Sequence, residues 1–294
     1  MRKYLSILLI LALGWAFASC SNDIIELEAL SKRPAKAAVH TYSRSDTLRV
    51  LVVGNSYACN AVDSYLQDML ASTVEHFVIG RLHKGSCSLA MHLNYAETDE
   101  PAYNYRKYSE DSVLLRQDEC TLAEAIADER WAWVSLQQYS KESGQYETYQ
   151  ASLPALMQWL RLRICDDSQF IWHQTWTYSP EYEGSVFEPY GYDADAMWGA
   201  IEDATESVMR DYEFARLVPC GLTIELAKQS ALGLSVYSDG RHLSSIGCYA
   251  AAATWYEALT GEDARELEYN PGLNEDERQL ALAAAHQGVV SYEL

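Results

Sequence analysis

Leu48-Arg49-Val50-Leu51-Val52-Val53-Gly54-Asn55-Ser56-Tyr57 is the stretch on which the reading of the fold turns. Residues 48–53 are too uniformly apolar to keep one face in water, which marks a strand buried on both sides within a parallel sheet. Val62, Tyr65, Leu66, Met69 and Leu70 then recur at helical spacing. Gly54-Asn55-Ser56 therefore occupies the turn from the C-terminal end of a buried strand into a helix. In open parallel α/β sheets that edge is where ligands bind.

Outward from this turn the same alternation continues. Short apolar runs at 77–82, 131–137, 170–173 and 214–218 predict four more strands. Thr121-Leu122-Ala123-Glu124 has the form of a capping box and predicts a helix start. Leu153, Leu156, Met157 and Leu160 mark a second helix, and Met197, Ala200, Ile201, Ala204 and Val208 a third. Residues 244–259 form an Ala-rich helix stopped by Gly261. The pattern predicts one α/β domain over residues 47–261, a three-layer α/β/α sandwich around a central five-stranded parallel sheet. Asn274-x-x-Glu277 opens a last helix, so residues 262–294 are expected to be a C-terminal helical extension packed on the outside.

At the other end, Arg2 and Lys3 precede an apolar run over residues 5–18 that is short for a membrane span. Phe17-Ala18-Ser19-Cys20 resembles the lipobox of bacterial lipoproteins. The expectation is a signal peptide over residues 1–19, a lipidated Cys20, and a polar tether over 20–46. An exported chain would then meet the membrane only through its lipid anchor. The alternative is an ordinary cleaved signal with Cys20 a bystander.

The 22 basic and 42 acidic residues give a net charge of −20, or −22 once Arg2 and Lys3 are removed with the signal. Such a charge repels nucleic acid and anionic surfaces and favours neutral or cationic partners. Beyond Cys20, the cysteines at 59, 87, 120, 165, 220 and 248 follow no regular spacing. They read as small buried hydrophobes, with pairing left open.

Every polar cluster of note falls after a predicted strand: Ser56, Gly85, Gln137 with Gln138, His173 with Gln174, and the segment 239–242. Gly-Asn-Ser alone is also good turn chemistry. Asp239-Gly240-Arg241-His242 adds meaning to it by placing a carboxylate three residues before a histidine. A serine hydroxyl needs a base to take its proton, and an imidazole serves best when a carboxylate holds its other nitrogen. The histidines lack metal-ligand spacing such as His-Glu-x-x-His, and the first βα turn lacks a Gly-rich phosphate cradle, so neither metal nor cofactor is expected.

These residues resemble the blocks of the SGNH (GDSL-like) hydrolases: a serine after the first strand, Gly85 after the second, an amide after the third, and Asp239-x-x-His242 near the C-terminus. Asn55 stands where that family carries Asp, and Ser135-Leu136-Gln137-Gln138-Tyr139 where it carries Gly-x-Asn-Asp. Together with His173-Gln174-Thr175-Trp176 and residues 254–260, the string is similar to a branch of unknown function found in bacterial lipoproteins. The resemblance implies a flavodoxin-like SGNH fold and a triad of Ser56, His242 and Asp239. It also implies an oxyanion hole from the Ser56 and Gly85 N–H groups and the amide of Gln138, with Gln137 as second choice. Asn55, His173, Gln174 and Trp176 are the expected substrate contacts, although His173 beside Trp172 reads equally as core, and His83 and His92 are as ambiguous.

Trp172, Trp176, Tyr178, Tyr182, Phe187, Tyr190, Tyr192 and Trp198 crowd one segment. They suit the C–H faces of sugars or, equally, a core. The functional expectation is an ester hydrolase removing acetyl or other acyl groups from carbohydrate. The alternative is a non-catalytic glycan-binding lipoprotein with a degenerate site. A lipase is disfavoured because no apolar lid segment is present.

Overall fold

The computed structural model describes residues 46–110 and 112–292. Its sheet has seven strands: β1 (Leu48–Gly54), β2 (Phe77–His83), β3 (Tyr103–Ser109), β4 (Val113–Cys120), β5 (Trp133–Leu136), β6 (Gln169–His173) and β7 (Phe214–Val218). They lie in the order β4-β3-β2-β1-β5-β6-β7. β2, β1, β5, β6 and β7 are parallel and are the five strands expected from the apolar runs. Taken in chain order those five run 2-1-3-4-5, the flavodoxin-like arrangement, which reverses direction between β1 and β5.

The expected five-stranded parallel sheet is thus corrected to a seven-stranded mixed one, because β3 and β4 extend it as an antiparallel hairpin. Tyr103, Tyr105 and Tyr108 of β3 are buried, while Asn104, Arg106 and Lys107 between them are partly exposed. β4 at the edge is mostly exposed. Such strands carry no continuous apolar run, since only one face meets the core.

Nine helices of the described residues wrap the sheet: α1 (Ser56–Val62), α2 (Leu66–Ala71), α3 (Leu89–Thr98), α4 (Leu122–Ala127), α5 (Tyr146–Arg161), α6 (Ala194–Asp211), α7 (Cys220–Gln229), α8 (Ser245–Thr260) and α9 (Glu275–Val290). Thr121 and Glu124 close the capping box at α4. Gly261, at φ 73°, ends α8 in the left-handed conformation that suits glycine. α8 packs against α1, α2, α7 and α9, and α5 packs against α3 and α6. Leu51 and Val53 of β1 share a core with Leu153, Leu156 and Leu160 of α5. Val50 and Val52, also fully buried, point to the other face by strand alternation.

Every residue of α8 from Ile246 to Leu259 is buried, because α9 covers its outer side. Asn274 caps α9 through the Asp276 and Glu277 N–H groups. A side-chain clasp fastens its far end: His286 Nδ1 lies 2.9 Å from Glu257 Oε1 and 3.2 Å from Asp263 Oδ1. The six cysteines beyond Cys20 are all free thiols, and Cys87, Cys120, Cys220 and Cys248 are buried. The expected signal peptide, Cys20 and nearly all of the expected tether lie outside the described residues.

Candidate functional site

β1 and β2 run in parallel register so that Gly54 pairs with His83, and the Lys84 N–H continues the ladder to the Gly54 carbonyl at 3.1 Å. This sets the Ser56 turn beside the Lys84-Gly85 loop. Asn55 caps α1, its Oδ1 accepting the Tyr57 N–H at 3.0 Å, and Ser56 becomes the first helical residue. Among the described residues no acceptor engages the Ser56 or the Gly85 N–H. Gly85 is exposed, and a Cβ there would meet nothing within 4 Å, so one side of the turn is open.

The segment from Ser238 to Leu243 folds back over this turn. Its backbone is pinned at several points: the Ser179 N–H donates to the Gly240 carbonyl (2.7 Å), Trp176 Nε1 to the Arg241 carbonyl (3.0 Å), and the Leu243 N–H to Asn60 Oδ1 (3.1 Å). The last contact ties the segment to the helix that carries Ser56. Asn60 lies four residues after Ser56, one helical turn away, a spacing legible in sequence but without a motif to flag it. The tight turn at Gly240 (φ 79°) lets Asp239 reach back to His242.

The outcome is a chain of three side chains. His242 Nε2 stands 3.0 Å from Ser56 Oγ, and His242 Nδ1 stands 2.7 Å from Asp239 Oδ2. A carboxylate facing Nδ1 assigns the proton to that nitrogen, which leaves the Nε2 lone pair for the serine hydroxyl. Burial alone would raise the Asp239 pKa, but the His242 side chain and the His242 and Arg241 N–H groups more than offset it, holding the carboxyl at about 2. Tyr57 stacks on Trp176 at 4.2 Å between ring centroids and meets the His242 ring edge-on at 6.2 Å, so the imidazole has an aromatic wall.

The glutamines behave otherwise than expected. Gln138 is buried, its Oε1 accepting the Leu89 and Tyr139 N–H groups and its Nε2 donating to Thr148 Oγ1. It clamps the loops after β2 and β5 and is turned to these partners, which corrects its assignment as oxyanion donor. Gln137 is also buried, and its Nε2 donates to Asn55 Oδ1.

The four expected substrate contacts are corrected on the same ground. Asn55 is 2%, His173 0%, Gln174 1% and Trp176 0% exposed, and each is bonded within the chain. Gln174 holds α7 through the Leu222 N–H and reaches Thr205 and Tyr292. Of the crowded aromatic rings, Trp172, Trp176, Tyr178, Phe187 and Tyr190 are core. Tyr182, half-buried, lies against Gly240 in the turn between Asp239 and His242. His92 is core too: it bonds Tyr103 and burial pushes its pKa down to about 3.

A parallel core in flavodoxin-like order, with serine, histidine and aspartate converging where the strand order reverses, has the architecture of the SGNH hydrolases. The family model for "Domain of unknown function (DUF4886)" matches residues 49–288, and the chain belongs to this family. The crystal structure of a DUF4886 family protein from Bacteroides uniformis is 35% identical, superposes with a TM-score of 0.80, and is covered over 83% of this chain and 95% of that one. Two more distant structures share the fold. A candidate SGNH hydrolase from Slackia heliotrinireducens is 21% identical, with TM-score 0.51 over 73% of this chain and 100% of that one. A candidate GDSL-like lipase from Parabacteroides merdae is 14% identical, with TM-score 0.50 over 76% and 99%. No curated protein matches the sequence.

Proposed function

We propose that the protein is a serine ester hydrolase working by acyl transfer through Ser56. The observation that carries this reading is the continuous contact from Ser56 Oγ to His242 Nε2 and from His242 Nδ1 to Asp239 Oδ2. In this reading Ser56 Oγ attacks the ester carbonyl while His242 Nε2 takes its proton, and Asp239 holds the imidazolium that forms. The tetrahedral oxyanion is met by the Ser56 and Gly85 N–H groups. Collapse expels the alcohol, which takes the proton back from His242, and leaves an acyl-serine. Water, deprotonated by His242, then attacks the acyl carbonyl; the bond from Ser56 Oγ to the acyl carbon breaks, Oγ takes the proton from His242, and the acid leaves.

For the alcohol we propose an acylated carbohydrate. The net charge of −20 leaves a neutral glycan unopposed, and Tyr182 offers a partly exposed ring beside the triad turn. Hydrolysis of p-nitrophenyl acetate and of acetylated oligosaccharides by the purified protein tests both parts. Ser56→Ala and Ser56→Ala/His242→Ala are expected to share one residual rate, because triad members act as a unit. Unchanged hydrolysis in Ser56→Ala removes the proposal.

A further inference from the structure

Two departures from the SGNH pattern, Asn55 and Gln137, meet in one buried chain of hydrogen bonds. Asn55 Nδ2 donates to the Cys87 carbonyl at 3.1 Å, while its Oδ1 accepts from the Tyr57 N–H at 3.0 Å and from Gln137 Nε2 at 2.9 Å. Gln137 Oε1 in turn lies 3.2 Å from His173 Nδ1. The direction of every bond follows from the two backbone groups. A carbonyl at Cys87 demands the Asn55 amide nitrogen, and an N–H at Tyr57 demands its oxygen. That oxygen demands the Gln137 nitrogen, which leaves Gln137 Oε1 facing His173 and makes His173 the Nδ1–H tautomer.

Two further observations single out this chain. A Cβ on Gly54 would stand 2.7 Å from Gln137 Oε1, so the glycine before the turn is what lets the glutamine reach across β1. His173 is fully buried, held neutral by desolvation with its pKa lowered to about 3, and its Nε2 has no hydrogen-bond partner among the described residues. A phenyl ring would fill the space beside Trp176 and Trp255 without leaving a nitrogen unsatisfied. What the imidazole adds is the N–H that it gives to Gln137.

We infer that Gln137 and His173 are positioning residues, joining the ends of β6, β5 and β1 in an uncharged relay that fixes Asn55 and thereby the backbone at Ser56. At the position before the serine, where the resembling family carries a carboxylate, this chain has the neutral amide of Asn55. No negative charge is then left beside the position where the oxyanion forms, where it would oppose the developing charge. The inference rests on Ser56 being the nucleophile. Gln137 and His173 would act through Asn55, without touching substrate.

The test combines kinetics with a histidine spectrum. On p-nitrophenyl acetate, Gln137→Met and His173→Phe are expected to lower kcat by roughly 10- to 100-fold, as a misplaced nucleophile does. KM should stay within about two-fold, because the lost interaction orients the reacting atom and does not bind substrate. The double variant should be no slower than Gln137→Met, since breaking the chain at Gln137 already disconnects His173. Gln137→Glu, of equal size but unable as a carboxylate to donate to Asn55, should behave like Gln137→Met and serves if the latter does not fold. In wild-type protein labelled at histidine, the signal missing from His173→Phe should report a neutral ring protonated at Nδ1. Unchanged kcat in the folded glutamine variants, losses that multiply in the double variant, or a His173 ring protonated at Nε2 would each overturn the relay. A wild type with no esterase activity removes the proposed function itself, whereas an active wild type with unaltered variants removes the relay alone.

Discussion

Asp239 holds His242 by two handles at once: its Oδ2 lies 2.7 Å from the ring Nδ1, and its Oδ1 accepts the His242 backbone N–H at 2.6 Å. The second contact fixes where the residue sits and the first fixes which ring nitrogen bears the proton. Asp239→Asn can keep the backbone contact while presenting an amide N–H to Nδ1, which selects the wrong tautomer. The expected result is a folded protein whose kcat falls on the order of 1,000- to 10,000-fold. Matching thermal midpoints with unchanged kcat would show that the carboxylate is not needed.

The depressed Asp239 pKa, about 2, sets a pH window. An unfolded aspartate titrates near 3.9. A folded value below the unfolded one means that the carboxylate contributes stability above about pH 3.9 and loses it as pH falls toward about 2. Urea midpoints of wild type and Asp239→Asn should therefore differ more at pH 5 than at pH 2.5. A urea-midpoint difference that is the same at pH 5 and at pH 2.5 contradicts this window.

Trp176 is fully buried, stacked on Tyr57 and bonded through Nε1 to the Arg241 carbonyl. Trp176→Phe keeps a ring but leaves that carbonyl unpaired, at a cost of about 1–3 kcal/mol. Denaturant unfolding should register the loss, and kcat should fall as the segment carrying His242 loosens. KM should hold, because the ring does not reach the substrate. A selective rise in KM would return Trp176 to the substrate site.

We propose that Cys20 is the lipid attachment point, on the strength of Phe17-Ala18-Ser19-Cys20 after an apolar run. Labelled palmitate should enter the wild-type protein in its bacterial host and be absent from Cys20→Ser. Equal labelling of both forms would contradict the anchor.

What could be read in advance divides along physical lines. The five parallel strands were legible because burial on both faces leaves continuous apolar runs such as Leu51-Val52-Val53. The hairpin of β3 and β4 was not, because Tyr103, Tyr105 and Tyr108 alternate with polar residues that face outward. Ser56, Asp239 and His242 were legible as a set because an Asp-x-x-His spacing has few other uses beside a strand-to-helix serine. The roles of the amides were misread for a definite reason. Being near the C-terminal end of a strand says that a residue is near the site, but whether Gln138 faces substrate or the Leu89 N–H depends on one side-chain torsion. The aromatic segment was ambiguous in the same way, since Trp176 and Tyr182 differ in exposure and not in type.

The central claim is that Ser56 is a nucleophile activated by His242, and reaction with a fluorophosphonate reads this most directly. The account predicts one phosphonyl adduct per wild-type chain, located by peptide mass on Ser56. It predicts no adduct in Ser56→Ala and a strongly slowed one in His242→Ala, with esterase activity lost in step with labelling. Labelling of Ser56→Ala at the wild-type rate, or full esterase activity in that variant, would contradict it.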